Sequence, residues 1–282
     1  MTKSFTLSLR SAYTESMNIA DSVEKELKES GAEIISVGHS ALGRDILCAH
    51  CGTAGKRIIV TAGIHARECY TALVVLRQIR EFSGGGEAYF IPLVNPDGAV
   101  FFETGDAQGG KFLREHKAKH REWKANAMGV DLNCNFDANF GTGALNTFSP
   151  GAHGYVGEYP MSAPETKALA EFTLRVRPHA TISYHCLGGE LYWEFFQRGE
   201  ERERDVKFAS AIASEIGVKR VDGDLDSSGG YKDWCVQKLH IPAVTVELIE
   251  SGAHPTAPSD FDADIQKNAH LPKFILEYLK GM

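Results

Sequence analysis

His65 and Glu68 stand three residues apart in the stretch Arg57-Ile-Ile-Val-Thr-Ala-Gly-Ile-His65-Ala-Arg67-Glu68. An imidazole and a carboxylate so placed are good ligands for a divalent ion such as zinc. A hydrolytic zinc needs three protein donors and a fourth position left for water. A His-x-x-Glu pair also arises by chance, so its setting decides how it is read. Ile58-Ile59-Val60 has the β-branched composition of a buried strand, and the run from Thr71 to Phe82 brings Leu73, Leu76, Ile79 and Phe82 near one face of a helix. Open α/β sheets bind ligands at the carboxyl ends of their strands, which is where this pair falls. The third donor is expected at another strand end. His185 closes the run Ala180-Thr-Ile-Ser-Tyr before the Gly188-Gly189 turn, whereas His116 and His120 lie in a basic polar stretch and His254 lies in a loop.

The elements that must position these groups follow from periodicity. Strand-like runs fall at about 33–38, 45–50, 57–63, 88–94, 179–184, 190–196 and 242–248. Helical patterns fall near 14–30, 67–82, 163–177, 202–217, 230–239 and 262–280, the last offset by Pro272. Strands alternating with helices, several of them wholly apolar, imply an α/β protein with a mixed, largely parallel sheet covered on both faces. The segment from Asn95 to Pro164 is rich in Gly, Asn and Asp and poor in periodicity, the mark of a long functional excursion. No linker or repeat divides the chain, so residues 1–282 are expected to form a single domain.

Composition narrows the function. The 282 residues are 43% hydrophobic and 24% charged, as in an ordinary globular protein. A net charge of -7 disfavours nucleic acid and anionic membrane as partners. Residues 1–20 alternate polar and apolar groups and do not read as a signal peptide, and no run reaches membrane-spanning length, so a cytoplasmic location is expected. The six cysteines then read as reduced thiols. Cys48-Ala-His-Cys51 has no second cysteine pair to complete a tetrahedral site, and Cys69, Cys134 and Cys186 read as small packing residues beside the site.

Five landmarks in order carry a family resemblance: Gly63-Ile-His65-Ala-Arg67-Glu68, Asn95-Pro-Asp-Gly98, Gly129-Val-Asp-Leu-Asn133-Cys-Asn135-Phe, Ser183-Tyr-His185 and Thr245-Val-Glu247-Leu. From about Val37 onward the chain resembles zinc carboxypeptidases of the carboxypeptidase A type. The resemblance implies an α/β/α sandwich around a mixed eight-stranded sheet. It also implies one zinc ion held by His65, Glu68 and His185, with Glu247 as general base and acid. A carboxylate suits that role because it can take a proton from the attacking water and pass it to the leaving amine. The family's oxyanion-binding arginine has no direct counterpart; Lys124 occupies the expected place, with Arg121 as a substitute, and either would supply positive charge to the developing oxyanion. Arg67 is expected to touch substrate because it lies within the metal motif.

One departure matters most. Carboxypeptidases proper carry Asn-Arg where this chain has Asn133-Cys134. Cys134 cannot clamp a C-terminal carboxylate as arginine does, which leaves Asn133 to hydrogen-bond alone. The aromatic residue expected before Gly229-Gly-Tyr-Lys-Asp-Trp is also missing, with Leu225 in its place. Trp123-Lys-Ala-Asn126, the run from Gly154 to Glu165, Tyr184-His-Cys-Leu-Gly-Gly-Glu190-Leu-Tyr192-Trp193 and Gly229-Gly-Tyr231-Lys232-Asp233-Trp234 resemble bacterial γ-D-glutamyl-meso-diaminopimelate peptidases, which cut peptidoglycan stem peptides. There Lys232 would face the side chain after the scissile bond, where a cation suits the second carboxylate of diaminopimelate. Glu190, Tyr192 and Trp193 are read as cleft-lining. The expected partner is a peptide or muropeptide substrate. Two other readings stay open: a conventional metallocarboxypeptidase or related zinc deacylase, and a catalytically silent zinc-containing peptide-binding module. Neither the native metal nor the oligomeric state is legible in the sequence.

Overall fold

The computed structural model describes residues 17–223 and 226–282. Eight strands form one sheet: β1 (Glu33–His39), β2 (Asp45–Gly52), β3 (Arg57–Thr61), β4 (Glu87–Ile91), β5 (Ala180–Cys186), β6 (Glu190–Tyr192), β7 (Lys219–Val221) and β8 (Ala243–Leu248), in the order β1-β2-β4-β3-β5-β8-β6-β7. The centre, β4-β3-β5-β8, is parallel, while β1 to β2, β2 to β4 and β6 to β8 are antiparallel. The expected mixed eight-stranded sheet is therefore present. Two corrections apply: β7 has no counterpart among the runs read from the sequence, and β6 ends at Tyr192 instead of reaching 196. Strands of three residues carry too little alternation to announce themselves.

Ile58-Ile59-Val60 are fully buried because both faces of β3 are covered. Ile58 and Val60 join one core with α1 (Ile19–Glu29), α2 (Ala72–Glu81), α6 (Gly199–Ile216) and α9 (Leu271–Lys280). Ile59 joins another with α5 (Pro164–Val176) and α7 (Tyr231–Leu239). Helices on both faces make the α/β/α sandwich. Pro272 starts α9 within its first turn and separates it from α8 (Asp262–Asn268), as the missing N–H of proline dictates.

The excursion from Asn95 is more ordered than its composition suggests. It opens with α3 (Pro96–Thr104) and includes the short α4 (Lys111–Glu115) before a long irregular stretch. Asn95 caps α3 by accepting from Gly98 N at 3.1 Å, with Pro96 at the first helical position. Phe101 and Phe102 are buried on this helix. Among the described residues, no helix is long and apolar enough to cross a membrane.

Candidate metal centre

Strand β3 ends at Thr61, and the chain then turns so that His65 immediately precedes, and Glu68 lies within, a 3-10 turn spanning Ala66–Thr71. Gly63 makes this turn possible. Its φ is +59°, and a Cβ there would lie 2.5 Å from Leu93 Cδ1. Thr71 Oγ1 accepts from Gly63 N at 3.1 Å and donates to Glu68 O at 2.7 Å, closing the loop on itself. Asn95 Nδ2 donates to Ile64 O and Ala125 O, and Ala66 N donates to Lys124 O at 3.0 Å. The loop carrying the first two donors is thus fixed on every side by the Asn95 and Lys124 segments.

His185 lies on β5, directly opposite Glu247 on the neighbouring β8. His65 Nδ1, Glu68 Oε2 and His185 Nδ1 converge: His65 to Glu68 is 2.9 Å, His185 to Glu68 is 3.1 Å, and the two imidazole nitrogens are 3.1 Å apart. Ligands bonded at 2.0–2.1 Å in a tetrahedron would stand roughly 3.3 Å apart, so the three atoms fit a zinc-sized ion. All three residues are buried, and the His-Glu-His donor set is the one group of this kind among the described residues. Burial alone would raise the Glu68 carboxyl, but His65 and His185 hold it well below the usual carboxylate range. Glu68 is therefore an anion ready to balance a cation.

Asp131, within the Gly129-Val-Asp-Leu-Asn133 landmark, borders the centre, a role that no local pattern announces. Its Oδ1 lies 3.3 Å from His65 Nε2, its Oδ2 lies 3.4 Å from Lys124 Nζ, and it accepts from Gly154 N at 3.0 Å. Burial works against the charge on Asp131, but Lys124 and His65 outweigh it and hold the carboxyl far below its ordinary value. Burial likewise works against the Lys124 ammonium, and Asp131 outweighs it. An acceptor at Nε2 leaves the Nδ1 lone pair of His65 aimed at the metal position. Arg121, the substitute weighed for Lys124, lies instead over the Phe102 ring at 4.6 Å and donates to Phe102 O.

Glu247 sits on an internal strand between β5 and β6, not on an exposed edge. Burial pushes its carboxyl up to about 7, with Glu68 adding to the rise and His185 and Lys124 opposing it. It lines a small cavity of about 190 Å³ together with Asn133, Tyr192, Ser227, Lys232 and Asp233. Asn133 Oδ1 accepts from Tyr231 N at 3.1 Å, which anchors the start of α7 beside the cavity. Lys232 is buried, with Nζ 3.0 Å from Glu194 O, 2.5 Å from Asp233 Oδ1 and 5.4 Å from the Phe195 ring centre. A larger cavity of about 600 Å³ is lined by Arg67, Lys124, Asp131, Asn133 and Cys134.

Some cleft expectations are corrected. Tyr192 does line the small cavity, but Glu190 pairs with Lys219 at 3.1 Å, and Trp193 is buried with Nε1 donating to Asp222. Glu190 and Tyr192 share a face of β6, with Tyr192 Oη donating to Glu190 Oε2 at 2.9 Å, whereas Trp193 lies beyond the end of the strand. Leu225 lies outside the described residues. Cys69 and Cys186 are buried free thiols, as read, and so is Cys48; Cys134 and Cys51 are partly buried.

The fold and the donor cluster define a class: an α/β protein whose candidate metal donors come from a loop after one central strand and from the end of its neighbour. The zinc carboxypeptidase family model matches residues 23–270, and the chain belongs to that family. The chain is 31% identical over 257 residues to gamma-D-glutamyl-L-diamino acid endopeptidase 1 of Lysinibacillus sphaericus, an alignment covering 82% of this chain and 64% of that protein. It thus spans under two thirds of that relative's length. Bovine thrombin-activatable fibrinolysis inhibitor shares the fold with a TM-score of 0.75 at 20% identity, covering 92% of this chain and 95% of that one. Murein-tripeptide amidase MpaA of Escherichia coli O157 superposes with a TM-score of 0.63 at 21% identity, covering 87% and 95%.

Proposed function

We propose that the protein is a zinc-dependent peptidase that hydrolyses the γ-D-glutamyl to diaminopimelate bond of peptidoglycan-derived peptides, acting as one domain over residues 1–282. The observation that carries this reading is the buried convergence of His65 Nδ1, Glu68 Oε2 and His185 Nδ1 beside Glu247. A zinc ion held there supplies a Lewis acid for the scissile carbonyl and an acidified water.

The chain's own groups do the rest. Glu247 takes a proton from the attacking water and returns it to the leaving nitrogen. A carboxyl poised near neutrality performs both transfers at little cost. Lys124, held in place by Asp131, provides fixed positive charge for the developing oxyanion. Asn133 and Lys232 receive the part of the substrate after the scissile bond, and Arg67 the part before it. Retention of Glu247 beside the donors favours catalysis over a silent binding module. Cys134 in place of a carboxylate-clamping arginine disfavours an ordinary carboxypeptidase.

The Lysinibacillus relative is named for cleavage at γ-D-glutamyl-diamino acid bonds, and MpaA for murein tripeptides; both support the substrate class. Lys232 and Asp233 together give the small cavity a paired cation and anion, which complements the zwitterionic end of diaminopimelate better than a lone ammonium. Six free cysteines favour a reducing compartment and hence the cytoplasm. Purified zinc-loaded protein should release diaminopimelate from L-Ala-γ-D-Glu-diaminopimelate and lose that activity on chelation. Faster turnover of ordinary C-terminal residues would establish a conventional carboxypeptidase instead.

A further inference from the structure

Two separate stretches of the chain meet around Lys124. Trp123-Lys-Ala-Asn126 carries the lysine itself, and the run from Gly154 to Glu165 contributes a partner at each of its ends. Asn126 Nδ2 donates to Glu165 Oε2 at 2.9 Å, and Gly154 N donates to Asp131 Oδ2 at 3.0 Å. Asn126 and Glu165 are completely buried, and neither lines the two cavities beside the metal centre, so neither is placed to touch a substrate. Asn126 is a hub. Its Oδ1 accepts from Met128 N at 2.9 Å and from Val130 N at 3.0 Å, and its backbone N donates to Val130 O at 2.9 Å. Its backbone O accepts from Trp123 Nε1 and Gly129 N, both at 3.1 Å. These bonds close residues 126–130 into a turn that the chain enters just after Lys124 and leaves at Asp131. The shape of the turn therefore bears directly on the 3.4 Å spacing of Lys124 Nζ and Asp131 Oδ2. Glu165, in the first turn of α5, ties this turn to the sheet, because its other oxygen accepts from Ala41 N at 2.8 Å between β1 and β2. A buried polar network whose members are all satisfied is rigid, and removal of one member leaves its partners unpaired.

We propose that Asn126 and Glu165 are positioning residues for Lys124: they hold the 126–130 turn, and through it the lysine ammonium, where the oxyanion develops. The assignment rests on the peptidase reading and on the oxyanion role of Lys124, and adds to them the pair that makes the role possible. A cation stabilises a transition state only when it is fixed in advance, and a displacement of about 1 Å can cost on the order of 100-fold in rate.

The test is a double-mutant cycle on kcat, with L-Ala-γ-D-Glu-diaminopimelate as substrate and every variant at full zinc content. Lys124→Met should lose about 100-fold or more, the usual cost of one oxyanion-stabilising group. Asn126→Ala should lose about tenfold or more in kcat while KM changes by less than about threefold. The double variant should match Lys124→Met within about threefold, because a support with nothing to position contributes nothing. A merely structural Asn126 would instead multiply the two losses. A second comparison keeps the buried bond and reverses it. Asn126→Asp alone sets two carboxyls against each other. Combined with Glu165→Gln, it lets the amide at position 165 donate to the carboxylate at position 126 and still accept from Ala41 N, so the pair should recover most of the kcat that Asn126→Asp loses. Multiplied losses in the cycle, full kcat in Asn126→Ala, or no recovery in the exchanged pair would overturn the assignment while leaving the peptidase reading intact. Unchanged kcat in Lys124→Met would remove the oxyanion role of Lys124 and this assignment with it. Absence of turnover by the wild type would remove the substrate reading as well.

Discussion

Asp131→Asn is the sharpest probe of the metal centre, because one buried carboxylate serves three groups at once. The side chain is fully buried, 3.3 Å from His65 Nε2, 3.4 Å from Lys124 Nζ and 3.0 Å from Gly154 N. An amide cannot replace it in either orientation. With its oxygen towards Gly154 and Lys124, its NH₂ meets His65 Nε2 and favours the tautomer whose Nδ1 carries the proton, blocking the donor. With its oxygen towards His65, two hydrogen-bond donors face each other at Gly154. Either way the Lys124 ammonium loses its counter-ion. Unit charges 3.4 Å apart attract by roughly 5 kcal/mol at an effective dielectric of about 20. Breaking a buried pair from one side costs about 3 to 5 kcal/mol. Since a quarter of the Lys124 side chain is exposed, about 3 kcal/mol is the expected loss of stability in the metal-free protein. Zinc affinity should fall a further 10- to 100-fold through the misoriented imidazole. Denaturant unfolding of metal-free protein measures the first effect and competition with a chelator the second. The double variant Asp131→Asn with Lys124→Met should regain most of the stability without regaining zinc affinity. A single variant within about 1 kcal/mol of wild type, or a double variant that binds zinc normally, would refute the reasoning.

Three further outcomes are expected. Glu247→Gln should bind zinc like the wild type yet lose two to four orders of magnitude in kcat, and near-wild-type turnover would remove Glu247 from the proton path. Lys232→Met should cost about tenfold or more in kcat/KM for a peptide with diaminopimelate after the scissile bond and much less for one with lysine there; an unchanged ratio of the two would show that Lys232 does not read the substrate. Glu165 accepts from Ala41 N and Asn126 Nδ2 in a fully buried site, and burial pushes its carboxyl up to about 7 from an ordinary 4.5. The fold then holds this proton more tightly than the unfolded chain does. This group therefore destabilises the protein progressively as pH rises from about 4.5 to 7, by up to about 3 kcal/mol. Glu165→Gln should flatten that part of the stability profile, and an undiminished slope in the variant would assign the effect to another group.

The candidate metal donors stand out in the chain because each sits where a strong local pattern stops. Ile58-Ile59-Val60 and Ala180-Thr-Ile-Ser-Tyr are buried strands whatever surrounds them, and strand ends in such sheets face the same side. Glu247 follows the same logic on Ala243-Val-Thr-Val. The helix at Pro96–Thr104 was hidden because it is almost wholly buried and shows no amphipathic stripe, so a search for one-sided periodicity passes over it. β7 was too short to leave a pattern.

By itself, the sequence determined which residues could bind zinc and which strands carry them. Only the tertiary structure decided how the charges pair. Asp131 is joined to both His65 and Lys124, Arg121 turns away to Phe102, and Lys232 is drawn to Asp233 and the Glu194 carbonyl, while Arg67 stands unpaired among the described residues. The reason is physical. Strand and helix patterns arise from neighbours a few residues apart, whereas ion pairs and cavities form between segments that only folding brings together, at distances no local pattern encodes.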